Sequence, residues 1–328
     1  MDVVRRVIIT WSVVAALVVG AFAGTVAILN STLYSASGFV QSYLDALARR
    51  DAPGALELAG SGGRSTASRA LLEPLLESNA MGGLDDISFV SESRFADGVQ
   101  RVTFTYVAGG TPGQSSFEVR RSGTTLGLFT TWEFVTAPYS VVQMSVLNSQ
   151  AFTANGVELS TPEQGTAIPL VVFTPSAVEV THESTFLSAR PLVVLASQPA
   201  ASVVAALDVQ PNALFIRQLQ AEIDGALDKC VTQTVLLPTG CPFGQQISNR
   251  IASAPEWSIA GYPAVSLVPG RDPSSWLMPP TEATAHLTVD VQSLFDGSTS
   301  TFDEDVPFAV SYLVTFLADD GLLITAQR

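Results

Sequence analysis

Residues 7–29, VIITWSVVAALVVGAFAGTVAIL, set the organisation of this chain; the stretch holds 23 residues and no charge. As a helix at 1.5 Å per residue it reaches about 35 Å, enough to cross a bilayer core of roughly 30 Å. Arg5 and Arg6 stand directly before it, and the next basic residue is Arg49. Basic residues are retained on the cytoplasmic side of a membrane. The reading is therefore a cytoplasmic N-terminus over 1–6, a transmembrane helix over 7–29, and an extracytoplasmic remainder after a spacer at 30–36. Ala21-Phe22-Ala23 has the small-residue spacing of a signal cleavage site, so a removed leader is the competing reading. The apolar run continues past it through Val26, Ile28 and Leu29, which suits a retained single-pass signal anchor better. Ser12, Ala16, Gly20 and Gly24 form a line of small residues, and the G-x-x-x-G of Gly20 and Gly24 marks a candidate face for helix association.

The remaining 300 or so residues are enough for two or three domains. The chain's net charge is −14. A surface that acidic repels phosphate backbones, which excludes nucleic acid as an expected partner. Lys229 is the only lysine, a bias toward arginine that fits a high-GC genome.

Beyond the spacer, Phe39, Val40, Tyr43, Leu44 and Leu47 fall on one helical face, opposite Gln41, Ser42, Asp45 and Arg49. Asp51 is placed to cap a second short helix with Pro53 in its first turn. Residues 68–79 read as a further helix interrupted by Pro74. From Ile87 the period becomes two. Val102, Phe104 and Tyr106 alternate with polar neighbours, as do Phe117 and Val119, and Leu126, Leu128, Thr130, Trp132 and Phe134 line one face of a longer strand. Gly109-Gly110 and Ser122-Gly123 read as turns. This gives an α+β domain over 37–137, helices first and then an antiparallel sheet. A small all-β domain over 138–208 follows, with Asn155-Gly156 as a hairpin turn and strands at 168–173 and 178–181. A second α+β domain over 209–328 opens with a helix whose face carries Phe215, Leu219, Ile223, Ala226 and Cys230. Ala283, Ala285, Leu287, Val289 and Val291 then make one strand face. Phe308, Val310, Tyr312, Val314 and Phe316 make another, and Asp319-Asp320-Gly321 turns into a last strand.

Residues 39–52, FVQSYLDALARRDA, resemble the first helix of nuclear transport factor 2-like domains, which often open on a "YLDAL…D" helix. The resemblance covers about 37–137 and implies a cone: a curved antiparallel sheet wrapped on helices around a pocket. The stretch from Cys230 to Gly244, with Pro238-Thr239-Gly240-Cys241-Pro242-Phe243, resembles membrane-anchored envelope proteins of high-GC Gram-positive bacteria that carry such cone-shaped ectodomains. Enzymes of the cone family place His, Asp or Tyr inside the pocket. No histidine lies in 37–137, so no catalytic residue carries across, and Tyr43 on the apolar helix face reads as core.

The remaining candidates read as structural. His182 and His286 are the only histidines. His182 follows a strand and reads as a surface turn; His286 falls on a polar strand face. Asp303-Glu304-Asp305 has no EF-hand spacing and reads as a solvated hairpin tip or edge guard. Trp276 reads as sheet packing. There is no G-x-S-x-G elbow, P-loop or dinucleotide fingerprint. Neither a metal nor a cofactor is expected. Cys230 and Cys241 are the only cysteines, on the exported side, with a Pro-Thr-Gly turn between them; their spacing is not C-x-x-C, and two thiols alone make a poor metal site. A structural disulfide is the expectation. The functional expectation is a non-catalytic interaction or scaffold module of the cell envelope. Its partners are the lipid bilayer and either an envelope protein or a second copy. The alternative is a module binding an apolar or envelope-derived small ligand in a cone-shaped pocket.

Overall fold

The computed structural model describes residues 2–60, 73–95, 97–272, 274–317 and 321–327, with the backbone alone over 2–7. The chain is α+β, with one N-terminal apolar helix and mostly antiparallel sheets among the described residues. Helix α1 (Asp2–Ser31) is unbroken and carries the apolar span Ile8–Ser31, whose side chains are almost all exposed. A helix of this length and composition fits a single-pass membrane anchor. Within it Gly20 and Gly24 are exposed, with nothing within 4 Å of where a Cβ would stand. Arg5 and Arg6 lie in its first turns; their side chains fall outside the description.

The chain divides into two compact units, with a boundary at Leu207/Asp208 inside the strand Ser202–Pro211. In the first unit α2 (Ala36–Ala48) starts where the Ser35 hydroxyl accepts the Gly38 N–H at 3.0 Å. Helix α3 (Ala52–Ala59) starts where Asp51 accepts the Gly54 N–H at 3.1 Å. Both starts are side-chain caps of the first unpaired amides. Of the helix read at 68–79, residues 68–72 lie outside the described residues. The rest forms two 3₁₀ turns, Pro74–Leu76 and Ser78–Ala80, since a proline at 74 has no N–H to extend a helical ladder.

Strands β1 (Leu84–Arg94), β2 (Val99–Ala108), β3 (Thr111–Thr125) and β4 (Phe129–Phe134) make a meander in sequence order. Gly109 and Gly110 turn β2 into β3 with φ of 55° and 76°. Ser122-Gly123 does not turn the chain. It sits in β3 at a bulge between Arg121 and Gly123, and the reversal comes at Leu126-Gly127. Leu126 therefore leaves the strand face on which the alternation placed it. The face of this sheet toward α2 is aromatic: Phe104, Phe117 and Phe134 are buried with Tyr43 of α2, and ring centroids lie 5.1–5.7 Å apart between Tyr43 and Phe117, Tyr43 and Phe134, Phe104 and Phe117, and Phe117 and Phe134.

The same unit contains β5 (Tyr139–Leu147) beside β8 (Ile168–Phe173), and the row β11 (Leu192–Ala196), β9 (Ser176–Thr181), β6 (Ala151–Ala154), β7 (Val157–Ser160). Val171, Phe173 and Ala177 of these strands belong to the same core as α2, α3 and β2–β4.

In the second unit β10 (Leu187–Ala189) pairs with the end of β12 (Ser202–Pro211). His182 is buried here rather than in a surface turn. The chain doubles back at once, with the Ala189 N–H donating to the His182 carbonyl at 2.9 Å. Asn212 caps α4 (Ala213–Val231) by accepting the Phe215 N–H at 3.0 Å. The buried face of α4 is Phe215, Leu219, Ile223, Leu227 and Cys230. Ala226 is exposed, because steps of four residues from Phe215 arrive at Leu227. Strands β16 (Ser275–Gln292) and β17 (Thr299–Phe316) pair along most of their length. β13 (Arg250–Ile251), β14 (Glu256–Gly261) and β15 (Val268–Pro269) line one edge, and β18 (Leu322–Ala326) the other. Asp319 and Asp320, read as the last turn, lie outside the described residues. Trp276 is 2% exposed, as sheet packing requires.

Candidate functional site

Four places gather chemistry-bearing groups. The first is the interior of the first unit. Tyr43 projects from α2 into the aromatic core, and its hydroxyl donates to the carbonyls of Pro138 (3.1 Å) and Thr174 (3.0 Å). Burial, with Tyr139 nearby, holds its phenol well above the ordinary tyrosine value, so it is a neutral tie rather than an acid. A small pocket beside Leu47, Leu75, Met81, Phe173 and Val178 holds about 10 Å³. That is no more than one water requires.

The second is a surface groove of about 430 Å³ on the first unit, bordered by Arg50, Asn79, Gly82, Gly83, Glu179 and Val193. Gly82 is needed because a Cβ there would collide with the Ala177 carbonyl. Asn155 closes one side. Its amide nitrogen donates to the Ala80 carbonyl and its amide oxygen accepts the Glu179 N–H, both at 2.8 Å. The sequence marked Asn155 as a turn residue only; its second role, fastening β9 to the turn at residues 78–80, spans 24 residues in one direction and 75 in the other and has no local signal. The groove offers one guanidinium, one carboxylate and an amide, groups that hold a polar ligand by hydrogen bonds.

The third lies on the outer face of the β16–β17 hairpin. Register places His286 opposite Asp305 and Thr288 opposite Asp303. His286 Nδ1 meets Asp305 at 2.8 Å, Nε2 meets Asp303 at 2.8 Å, and the Thr288 hydroxyl donates to Asp303 at 2.9 Å. Asp303-Glu304-Asp305 is thus mid-strand, not a hairpin tip; the reversal is at residues 293–298. Hydrogen bonds to Asp305 and then Asp303 raise the His286 pKa above its ordinary 6.5, and the bond from His286 lowers that of Asp303. Both ring nitrogens are thus engaged with separate carboxylates, which suits a charged clasp and not a shared metal. Among the described residues no group of three His, Cys, Asp or Glu is arranged to hold an ion.

The fourth is the end of α4. Cys230 and Cys241 form a disulfide, with Cα atoms 5.8 Å apart. It ties the last helical turn to the following loop. The loop reaches the sheet through Phe243, whose ring lies 5.0 Å from that of Trp257 and 5.2 Å from that of Phe308. Gln233 supports the closure, donating to the Thr239 carbonyl (3.2 Å) and accepting its N–H (2.8 Å). A disulfide fits an oxidising compartment outside the cytoplasm.

No family model, curated protein or solved structure matches this chain.

Proposed function

We propose that this is a membrane-anchored extracytoplasmic envelope protein. Its folded part serves as a non-catalytic interaction or scaffold module, of the cone-shaped nuclear transport factor 2-like type in its first part. The observation that carries the reading is the filled interior. Where a pocket enzyme or carrier keeps a chamber of some hundreds of Å³, here Tyr43, Phe104, Phe117 and Phe134 are buried against one another, and the pocket bordered by Leu47, Met81 and Phe173 in the same unit holds about 10 Å³. A filled core offers its outside to partners. Arg5 and Arg6 favour an N-in orientation. Protease added to intact, wall-stripped cells should then degrade the ectodomain, whereas protection of a C-terminal epitope would reverse the orientation. In-cell crosslinking followed by purification from membranes should give a reproducible adduct with an envelope protein or a second copy. Recovery of the chain with no adduct would defeat the module reading. If the second copy meets through α1, Gly20→Ile should lower dimerisation in a membrane reporter.

A second reading, a ligand-binding module, draws on the surface groove at Arg50 and Glu179. Native mass spectrometry of detergent-extracted protein should show a bound small molecule lost in Arg50→Glu. Absence of added mass counts against this reading.

A further inference from the structure

The turn between β3 and β4 is built from a residue its geometry does not favour. Three hairpins of the first unit close on a pair of left-handed residues: Gly109-Gly110, Asn155-Gly156 and Leu126-Gly127. Glycine and asparagine take that conformation at low cost; leucine sets its Cβ against the following carbonyl. Leu126 nevertheless stands at φ 54° and is 84% exposed. A backbone-strained leucine aimed into water stabilises nothing there.

The turn is bound to the end of α1. Asn30 accepts the Thr130 N–H on its side-chain oxygen (2.9 Å) and donates from its amide nitrogen to the Leu128 carbonyl (2.8 Å). Trp132 Nε1 donates to the Tyr34 carbonyl at 2.8 Å, and the Tyr34 ring stacks on Phe129 with centroids 4.5 Å apart. From the Trp132–Tyr34 contact to the Leu128–Asn30 contact, β4 runs backwards along the path by which the chain leaves α1. The tip at residues 126–128 therefore points back along the helix. Side-chain coverage agrees: within Ile8–Ser31 the partly covered residues are Val26, Leu29 and Asn30, one helical face at three- and four-residue spacing. Val26 lies about 6 Å deeper along the axis than Asn30.

We propose that residues 126–128 enter the lipid leaflet in which α1 ends, as a second membrane contact of the first unit. The occupant of this exposed apolar surface is the bilayer, because the surface is continuous with the membrane-spanning segment. Leu126 and Leu128 reach the acyl region. Tyr34 and Trp132 stand at headgroup level, where such amphipathic rings gather. Arg121, its guanidinium 5.6 Å over the Trp132 ring, sits where a long cationic side chain reaches lipid phosphates. Two points of attachment, helix and hairpin tip, set the tilt of the β1–β4 sheet on the membrane. The inference rests on the anchor reading of α1.

The test uses the full chain in vesicles of phosphatidylcholine and phosphatidylglycerol. Single cysteines Leu126→Cys, Thr111→Cys and Val18→Cys are labelled without reductant, with an environment-sensitive fluorophore. Thr111 is exposed at the opposite end of β3 and Val18 is mid-span. The expected result is blue-shifted emission at positions 126 and 18, quenched by brominated lipid and shielded from iodide, with position 111 quenched by iodide. Lipid protection at 18 together with iodide quenching at 126 equal to that at 111 overturns the inference and leaves the anchor standing. Iodide quenching at both 18 and 126 overturns both.

Discussion

The two helix-then-sheet parts are held together by different chemistry. Under β1–β4 the core is aromatic, with Tyr43, Phe117 and Phe134 packed edge to face, Phe104 tilted against Phe117, and no disulfide. In the second, β16 buries Ala283, Ala285, Leu287, Val289 and Val291 and α4 buries Phe215, Leu219, Ile223 and Leu227, while the rings fall in two separate groups, Phe186 with Phe215 and Phe316, and Phe243 with Trp257 and Phe308. Large rings bury much apolar area per residue and restrain one another's orientation. Small aliphatic residues on long strands bury less, and there a covalent staple and a sheet-face clasp accompany the packing. The lesson is that one part is ordered by a single cluster of rings, and the other by smaller ring groups joined to restraint of the chain.

The largest effect that would test this contrast is removal of a ring. Phe117→Ala should cost about 3–5 kcal/mol, the range for buried aromatic truncations that leave a cavity. Urea unfolding of the detergent-solubilised chain gives the size. Hydrogen exchange should locate the loss in α2, β2 and β3. A cost no larger than that of a surface substitution would mean the aromatic cluster does not hold the sheet.

Next comes the staple. Cys230→Ser with Cys241→Ser opens a short loop and should cost about 2–3 kcal/mol on the chain-entropy account. Exchange at the end of α4 and in the loop through Phe243 should rise. Unchanged exchange there would remove the disulfide from the comparison.

A smaller effect is expected at the start of the same helix. Asn212→Ala removes the acceptor for the Phe215 N–H, a change worth about 1 kcal/mol at a helix start. Asn212→Asp keeps the acceptor and should restore most of it; failure of that rescue would assign the effect to the donor side, where Asn212 also reaches the Thr185 carbonyl at 3.0 Å.

The clasp is the smallest, because its groups are exposed. The folded His286 pKa is raised above 6.5, so its stabilising contribution is complete below pH 6.5 and is lost as pH rises through the raised value. Asp303 is depressed below 3.8, so its contribution is present above pH 3.8 and lost as pH falls through the depressed value. The clasp is therefore firmest between these two limits. An NMR titration of the His286 ring should give a midpoint above 6.5 that falls in Asp305→Asn. A midpoint at or below 6.5 would show the ring is not held by the two carboxylates.

Much of this was legible because the signals are local. The span of α1 follows from an uninterrupted apolar run, since only a helix satisfies its own backbone in lipid. The faces of α2 and β16 follow from period 3.6 and period two. Asp51, Gly109-Gly110 and Asn155-Gly156 act where their own conformational preferences place them. At Leu126 the same logic failed: alternation extended the strand through a residue that the turn claims. Ala226 was off by one position for a related reason, since an alanine gives no strong preference against its leucine neighbour.

Tertiary structure alone decided the rest. That His286 meets Asp303 and Asp305 depends on a register between strands seventeen and nineteen residues apart along the chain. That Tyr43 is tied to Pro138 and Thr174, and that Asn155 fastens β9, depends on contacts across more than twenty residues. That Leu126 points back along α1 depends on Asn30 finding β4 about a hundred residues later. A sequence records which face a side chain takes within its own element, because backbone geometry repeats over a few residues. It does not record which element will lie opposite. That is settled by strand register, loop closure and the packing of faces that meet only once the chain has folded.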